Sequence, residues 1–130
     1  MQAYQLQIKE HHLDTFGHVN NATYLQLFEE ARWEIITARG YGLPEILKSQ
    51  KGPVVLEVQI KFLKELKLRE NIQITFEPLQ MTGKVGQCLQ KMINQSGEVA
   101  CEATFTVGFF DLQSRRLISP TDEWLKAVAI

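Results

Sequence analysis

The chain has 130 residues, with 14 Lys and Arg against 15 Asp and Glu and a formal net charge of -1. That balance argues against a nucleic-acid partner, which calls for a basic excess or stripe. With 45% apolar and 22% charged residues it has the make-up of an ordinary globular protein, long enough for one domain over residues 1–130 that buries about two thirds of its unfolded surface without staples.

The first residues, Met1-Gln2-Ala3-Tyr4-Gln5, carry no basic region followed by an apolar run, so no secretory signal peptide is expected. Residues 3–10 alternate apolar and polar, the pattern of a half-buried strand. A loop runs from His11 to Asn21. From Ala22 the period becomes helical: Tyr24, Phe28, Ala31, Ile35 and Ala38 recur at three- and four-residue steps, and Leu25, Leu27 and Ile36 widen the stripe. Asn21 is the expected N-cap, and Gly40 the expected glycine after the last turn at Arg39. About 18 helical residues span roughly 27 Å, enough to cross a sheet.

Leu43 to Ser49 reads as a short helical turn. From Pro53, the residues Val54, Leu56, Val58, Ile60 and Phe62 alternate with Glu57, Gln59 and Lys61. A third strand carries Ile72, Ile74 and Phe76, a fourth runs from Val85 to Ile93, and a fifth from Val99 to Phe109. Turns fall at Thr82-Gly83-Lys84, Asn94-Gln95-Ser96-Gly97 and Asp111 to Arg115. Ser119-Pro120-Thr121-Asp122 reads as a cap, an N1 proline and an N3 acid that open a helix from Thr121 to Val128. The order of strand, long helix and four hairpin-connected strands predicts an α+β fold, an antiparallel sheet of about five strands around one central helix. No apolar run approaches the ~18 residues of a membrane span. Cys88 and Cys101 are expected as buried, reduced thiols, and the chain reads as cytoplasmic.

The densest chemistry lies between Asp14 and Tyr24: a carboxylate, an imidazole, a glycine and two asparagines directly before the helix. A helix start offers unpaired N–H groups and positive potential, which suit an oxyanion. Asp14 can face it across a tight loop. Each residue also has a plainer reading. Asp14 can be a turn former, Asn20 and Asn21 shape and cap, Gly17 allows a positive φ or a close ligand, and Tyr24 fills the core. His18 is expected to bond the loop backbone. His11, His12, Asp14 and His18 match no metal-ligand spacing, so no metal site is expected. Glu29, three residues before Arg32, is expected to pair with it on the helix surface. Lys61, Lys64, Lys67 and Arg69 form a solvated turn or a phosphate contact.

This segment resembles the hotdog-fold acyl-CoA thioesterases, in the 4-hydroxybenzoyl-CoA thioesterase branch defined by Asp-x-x-Gly-His-Val-Asn-Asn-x-x-Tyr. The signature stands intact as Asp14-Thr15-Phe16-Gly17-His18-Val19-Asn20-Asn21-Ala22-Thr23-Tyr24. Leu25 to Trp33 is similar to the long-chain acyl-CoA thioesterases of bacterial fatty-acid degradation. The resemblance implies a hotdog fold that hydrolyses fatty acyl-CoA to free fatty acid and CoA without a cofactor. It implies Asp14 as general base or nucleophile and the Asn21 backbone N–H as oxyanion donor. It implies Gly17, His18, Val19, Tyr24, Lys61 and Lys64 as substrate contacts, and a homodimer or homotetramer with active sites at the subunit interface. Two other readings stay open: a non-catalytic hotdog that binds acyl thioesters, and a thioesterase acting on acyl carrier protein.

Overall fold

A computed structural model describes residues 2–129. Strand β1 spans Gln2–Gln7 and ends in a single 3-10 turn at Glu10–His12. Helix α1 spans Asn21–Ala38, the short helix α2 Leu43–Ser49 and strand β2 Lys51–Phe62. Strands β3 (Asn71–Thr82), β4 (Val85–Ile93) and β5 (Val99–Asp111) follow, then a three-residue β6 (Arg116–Ile118) and helix α3 (Asp122–Val128). The sheet is antiparallel in the order β1-β3-β4-β5-β2, with β6 on β5. The fold is α+β, as the sequence predicts.

The connectivity differs from the prediction in one respect. Strands β3, β4 and β5 are joined by hairpins, but β2 pairs with β5 rather than with its sequence neighbour β3. Strand β2 is therefore an outer strand of the sheet. Its alternation is interrupted by a bulge between Val55 and Glu57, and most of its apolar side chains are exposed. Alternation alone cannot tell which strand lies next to which.

Helix α1 lies against one face of the sheet and touches β1 to β5. The Tyr4 hydroxyl of β1 donates to Glu30 at 2.7 Å, Gln90 of β4 donates to the Phe28 carbonyl at 3.2 Å, and the Phe28 ring meets Phe105 of β5 edge-on. Tyr24 meets Phe62 of β2 with ring centroids 5.0 Å apart. Tyr24, Leu27, Phe28, Ala31, Ile35 and Ile36 are buried, whereas Leu25 and Ala38 of the predicted stripe are exposed. They lie at the margins of the arc that the sheet covers. Gly40, at φ +99, ends the helix as expected.

Arg32 does not pair with Glu29. Its Nη1 donates to the buried Gln90 at 3.0 Å and its guanidinium lies 4.3 Å from the Phe105 ring centroid. The helix rotation that buries Phe28 turns Arg32 inward toward the sheet. At the C-terminal end, Thr121 rather than Ser119 caps α3, its hydroxyl accepting from the Trp124 N–H. Pro120 therefore precedes the cap instead of opening the helix.

Phe28 has no solvent exposure and ties the middle of α1 to β5. Phe28→Ala is expected to lower unfolding stability by about 3–5 kcal/mol in urea denaturation, through lost burial and the cavity left behind.

Candidate active site

Leu13 and Val19 pair as an isolated antiparallel bridge, so residues 13–19 form a narrow loop that folds back on itself. The Asp14 N–H donates to the His18 carbonyl at 2.7 Å, and the Gly17 N–H donates to the Asp14 carbonyl at 3.1 Å. Gly17 sits at φ +78, where an L side chain would be strained. Asp14 Oδ1 accepts from the Phe16 N–H at 2.9 Å and the His18 N–H at 3.1 Å. Its other carboxylate oxygen has no partner among the described residues. Asp14 is thus a turn former and also a carboxylate with one oxygen anchored and the other free.

The N-cap is Asn20, one residue earlier than expected. It has the extended backbone that a cap needs (φ -64, ψ 142), and its Oδ1 accepts from the Ala22 N–H at 2.9 Å. The Asn20 carbonyl accepts from the Thr23 and Tyr24 N–H groups. The Tyr24 bond is the first regular helical one. With the Asn20 N–H donating to the His12 carbonyl, three of the four N–H groups that a helix start leaves open, those of Asn20, Ala22 and Thr23, are occupied. The remaining one, on Asn21, has no acceptor among the described residues, and it carries the positive potential of the helix end.

An open cleft of about 390 Å³ lies beside this N–H. His18, Val19, Asn21 and Tyr24 line it from the motif, and Phe62, Leu63, Lys64 and Glu65 from the end of β2 and the turn after it. Of the predicted site residues, His18, Val19, Asn21, Tyr24 and Lys64 meet at the cleft. Asp14 and Gly17 belong to the adjoining loop but not to the cleft wall. Lys61 lies off the cleft, opposite Glu102 on β5. Phe62, Leu63 and Glu65 were not singled out by sequence. The adjacent apolar pair at the strand end, which breaks the alternation, was the available signal.

The charged side chains that line the cleft are paired, and so is Arg69 of the neighbouring turn. His18 Nε2 lies 3.2 Å from a Glu65 oxygen, so the imidazole reaches outward rather than to the loop backbone. Lys64 pairs with Glu98, and Arg69 Nη2 bonds both Glu10 oxygens at 2.6 and 2.7 Å. Half of the predicted basic cluster therefore already has carboxylate partners, and such exposed pairs contribute little to stability. Burial pushes the Tyr24 phenol up to about 12, keeping it neutral. Among the described residues no three His, Cys, Asp or Glu side chains gather as metal ligands, and no helix is long and apolar enough to cross a membrane.

A second pocket of about 310 Å³ opens between the middle of α1 and the sheet. Arg32, Trp33 and Ile36 line it from α1, Pro53 and Val55 from β2, and Phe76, Cys88, Phe109 and Trp124 complete much of the wall. It shares no lining residue with the cleft.

Residues 8–128, which include the motif and every strand after it, match the model of the thioesterase-like superfamily. The chain belongs to that superfamily. It is a thioester hydrolase with a hotdog fold. Over 116 residues it is 28% identical to the long-chain acyl-CoA thioesterase FadM of Escherichia coli, covering 88% of this chain and 87% of that protein. The crystal structure of YbaW, a probable thioesterase of Escherichia coli, superposes with a TM-score of 0.87 at 26% identity, covering 99% of this thioesterase and 100% of that chain. The protein SAV2348 of Staphylococcus aureus, solved in complex with CoA, superposes at 0.90 over 97% of this thioesterase and 80% of that chain, and at 16% identity shows likeness of fold alone.

His12 anchors the base of the motif loop. It is buried, its Nδ1 accepts from the Lys9 N–H at 2.9 Å, and its carbonyl accepts from the Asn20 N–H. Burial, aided by His11 and Lys9, holds its pKa below the ordinary 6.5. The unfolded chain therefore takes up this proton first as the pH falls. The associated stability is complete above pH 6.5 and is lost as the pH drops through the folded-state value. Thermal melts between about pH 8 and pH 5 should show a larger fall in Tm for the unmodified chain than for His12→Gln.

Proposed function

We propose that the chain is an acyl-CoA thioesterase, a single domain acting in the cytoplasm, that hydrolyses fatty acyl-CoA to the free acid and CoA. The observation that carries the chemistry is the unpaired Asn21 N–H at the helix start, next to a loop that leaves one Asp14 oxygen free. As the carbonyl carbon becomes tetrahedral, its oxygen gains negative charge, and the Asn21 N–H donates to it. Asp14 either takes a proton from the attacking water or itself forms the new bond to carbon, giving an anhydride that water then opens. In both routes the C–S bond breaks, the thiolate leaves and regains a proton, and the carboxylate of Asp14 is restored. Gly17, His18, Val19 and Tyr24 shape the site. Lys61 and Lys64 are the proposed contacts for the CoA phosphates, and Lys64 must exchange Glu98 for that role. Neither route requires a cofactor. The name of the Escherichia coli relative supports a long-chain acyl-CoA substrate. The balanced charge offers little basic surface for an acidic acyl carrier protein.

The proposed active form is at least a dimer. Strand β2 is twelve residues long, has an open outer edge and exposes Val55, Leu56, Val58 and Phe62. Such an edge pairs readily with another strand. Two-fold pairing of β2 with its copy is antiparallel and brings the Phe62 end of one strand beside the Lys51 end of the other. The motif cleft is lined at Phe62 and Leu63, and the second pocket at Pro53 and Val55. The cleft of one copy then adjoins the pocket of the other, and an acyl chain bound at the motif extends into it.

Asp14→Asn keeps the shape of the side chain and removes its charge, so kcat on a panel of acyl-CoA chain lengths should fall by about 10² or more. Proline is tolerated at the first helical position but has no N–H. Asn21→Pro should therefore lower kcat by about 10²–10³ with the fold retained, while Asn21→Ala should leave it near the original value. Retained activity in Asp14→Asn, or equal effects of the two Asn21 variants, would overturn these roles. A charge in the middle of the β2 edge, as in Val58→Lys, should convert the dimer to monomer in sedimentation and abolish hydrolysis although Asp14 and Asn21 are untouched.

A further inference from the structure

Of the charged side chains on the wall of the second pocket, Glu29 and Lys84 are exposed and only Arg32 is half-buried, with its bonding incomplete. A guanidinium has five N–H donors. Here one hydrogen bond is formed, from Nη1 to Gln90 Oε1, and the plane is covered by the Phe105 ring. Among the described residues no carboxylate lies within 4.0 Å of it, the ion pairs being His18 with Glu65, Lys64 with Glu98 and Arg69 with Glu10. Cys88, also on the pocket wall, is no counter-ion, because burial raises its thiol pKa to about 11. No buried side-chain nitrogen or oxygen among the described residues lacks a partner. The remaining guanidinium donors are therefore not sealed in the core, and Arg32 is part of the pocket wall.

The rest of the wall is mainly aromatic and apolar, including Trp33, Phe76, Phe109 and Trp124. A volume of 310 Å³ holds on the order of ten heavy atoms at about 30 Å³ each. A purely hydrocarbon chain of that size would exclude water from Arg32 and supply no acceptor in its place. That leaves charged donors unpaired in an apolar surround. A chain with an oxygen at the right depth would instead complete the guanidinium fork.

We propose that Arg32 makes this pocket selective for acyl groups that carry an oxygen acceptor, a carboxylate above all, at the end remote from the thioester. The inference rests on the thioesterase reading above and on the acyl chain entering this pocket. Sites that hydrogen-bond a substrate oxygen discriminate strongly against the analogue lacking it, because their own groups are then stranded.

The test compares kcat/KM of the purified oligomer for decanoyl-CoA and for its ω-carboxyl and ω-1 keto counterparts. The ω-carboxyl substrate should be preferred by about tenfold or more, with the keto compound between. Arg32→Met should remove the preference and Arg32→Lys should retain part of it. A ratio at or below one in the unmodified enzyme overturns the proposal, whether or not Arg32→Met folds. So does an equal loss on all substrates in Arg32→Met, which would mark a structural tie to Gln90. A second readout does not depend on hydrolysis. The chain's two tryptophans, Trp33 and Trp124, both line the pocket. Their fluorescence should report decanoate binding about tenfold tighter than decan-1-ol, with the difference lost in Arg32→Met. If no acyl-CoA is hydrolysed, the thioesterase reading fails and this titration still decides the role of Arg32. If hydrolysis proceeds but neither ligand perturbs the tryptophans, the pocket does not take the acyl chain and the proposal fails alone.

Discussion

The structure depends on the burial of one face of α1 against the sheet. Tyr24, Leu27, Phe28, Ala31, Ile35 and Ile36 leave water together, and each large side chain among them contributes about 1.5–3 kcal/mol of transfer free energy. Because the helix touches β1 to β5, its axial position and rotation are set by most of the sheet at once. Its N-terminus is fixed in consequence. The four N–H groups of the first turn are brought to a defined point at the end of β2, and all but one of them are occupied. The oxyanion role proposed for the motif rests on this shortage of acceptors at a rigidly held helix end.

A polar link inside the apolar interface sets the helix rotation. Gln90 is fully buried, and its amide is satisfied on both sides, donating to the Phe28 carbonyl and accepting from Arg32. Buried polar bridges of this kind penalise any slip, since a shifted helix would strand both groups. The same link turns a guanidinium toward the sheet and into the wall of the aromatic pocket. Packing and pocket chemistry are thus two consequences of one side-chain arrangement.

Strand β2 carries the opposite tension. Its inner edge is paired with β5, while its outer edge and several apolar side chains face water. An isolated chain has no means of covering them. The cleft is lined from the end of β2 and the second pocket from its beginning, so one strand touches both halves of the proposed site. The exposed ion pairs near the cleft set its charge more than its stability, because water screens them.

Much of this was legible in the chain itself. The helical period after Ala22, the run of β4 from about Val85 to Ile93, the turns at Gly83 and Gly97, and the motif from Asp14 to Tyr24 are local signals, carried by residues near one another in sequence. The motif also carried the family. The N-cap was misplaced by one residue because two adjacent asparagines are equally able caps, and only backbone geometry distinguishes them. The pairing of β2 with β5, the inward turn of Arg32 onto Gln90 and Phe105, the outward pairing of His18 with Glu65, and the part played by Phe62 and Leu63 in the cleft all join residues far apart in sequence. Such contacts follow from which faces the folded sheet and helix present to each other. The sequence alone determined the long helix, the main strands, the motif loop and its family. The tertiary structure decided which N–H stays unpaired and which charged group lines a pocket, because those depend on which partners arrive from distant strands.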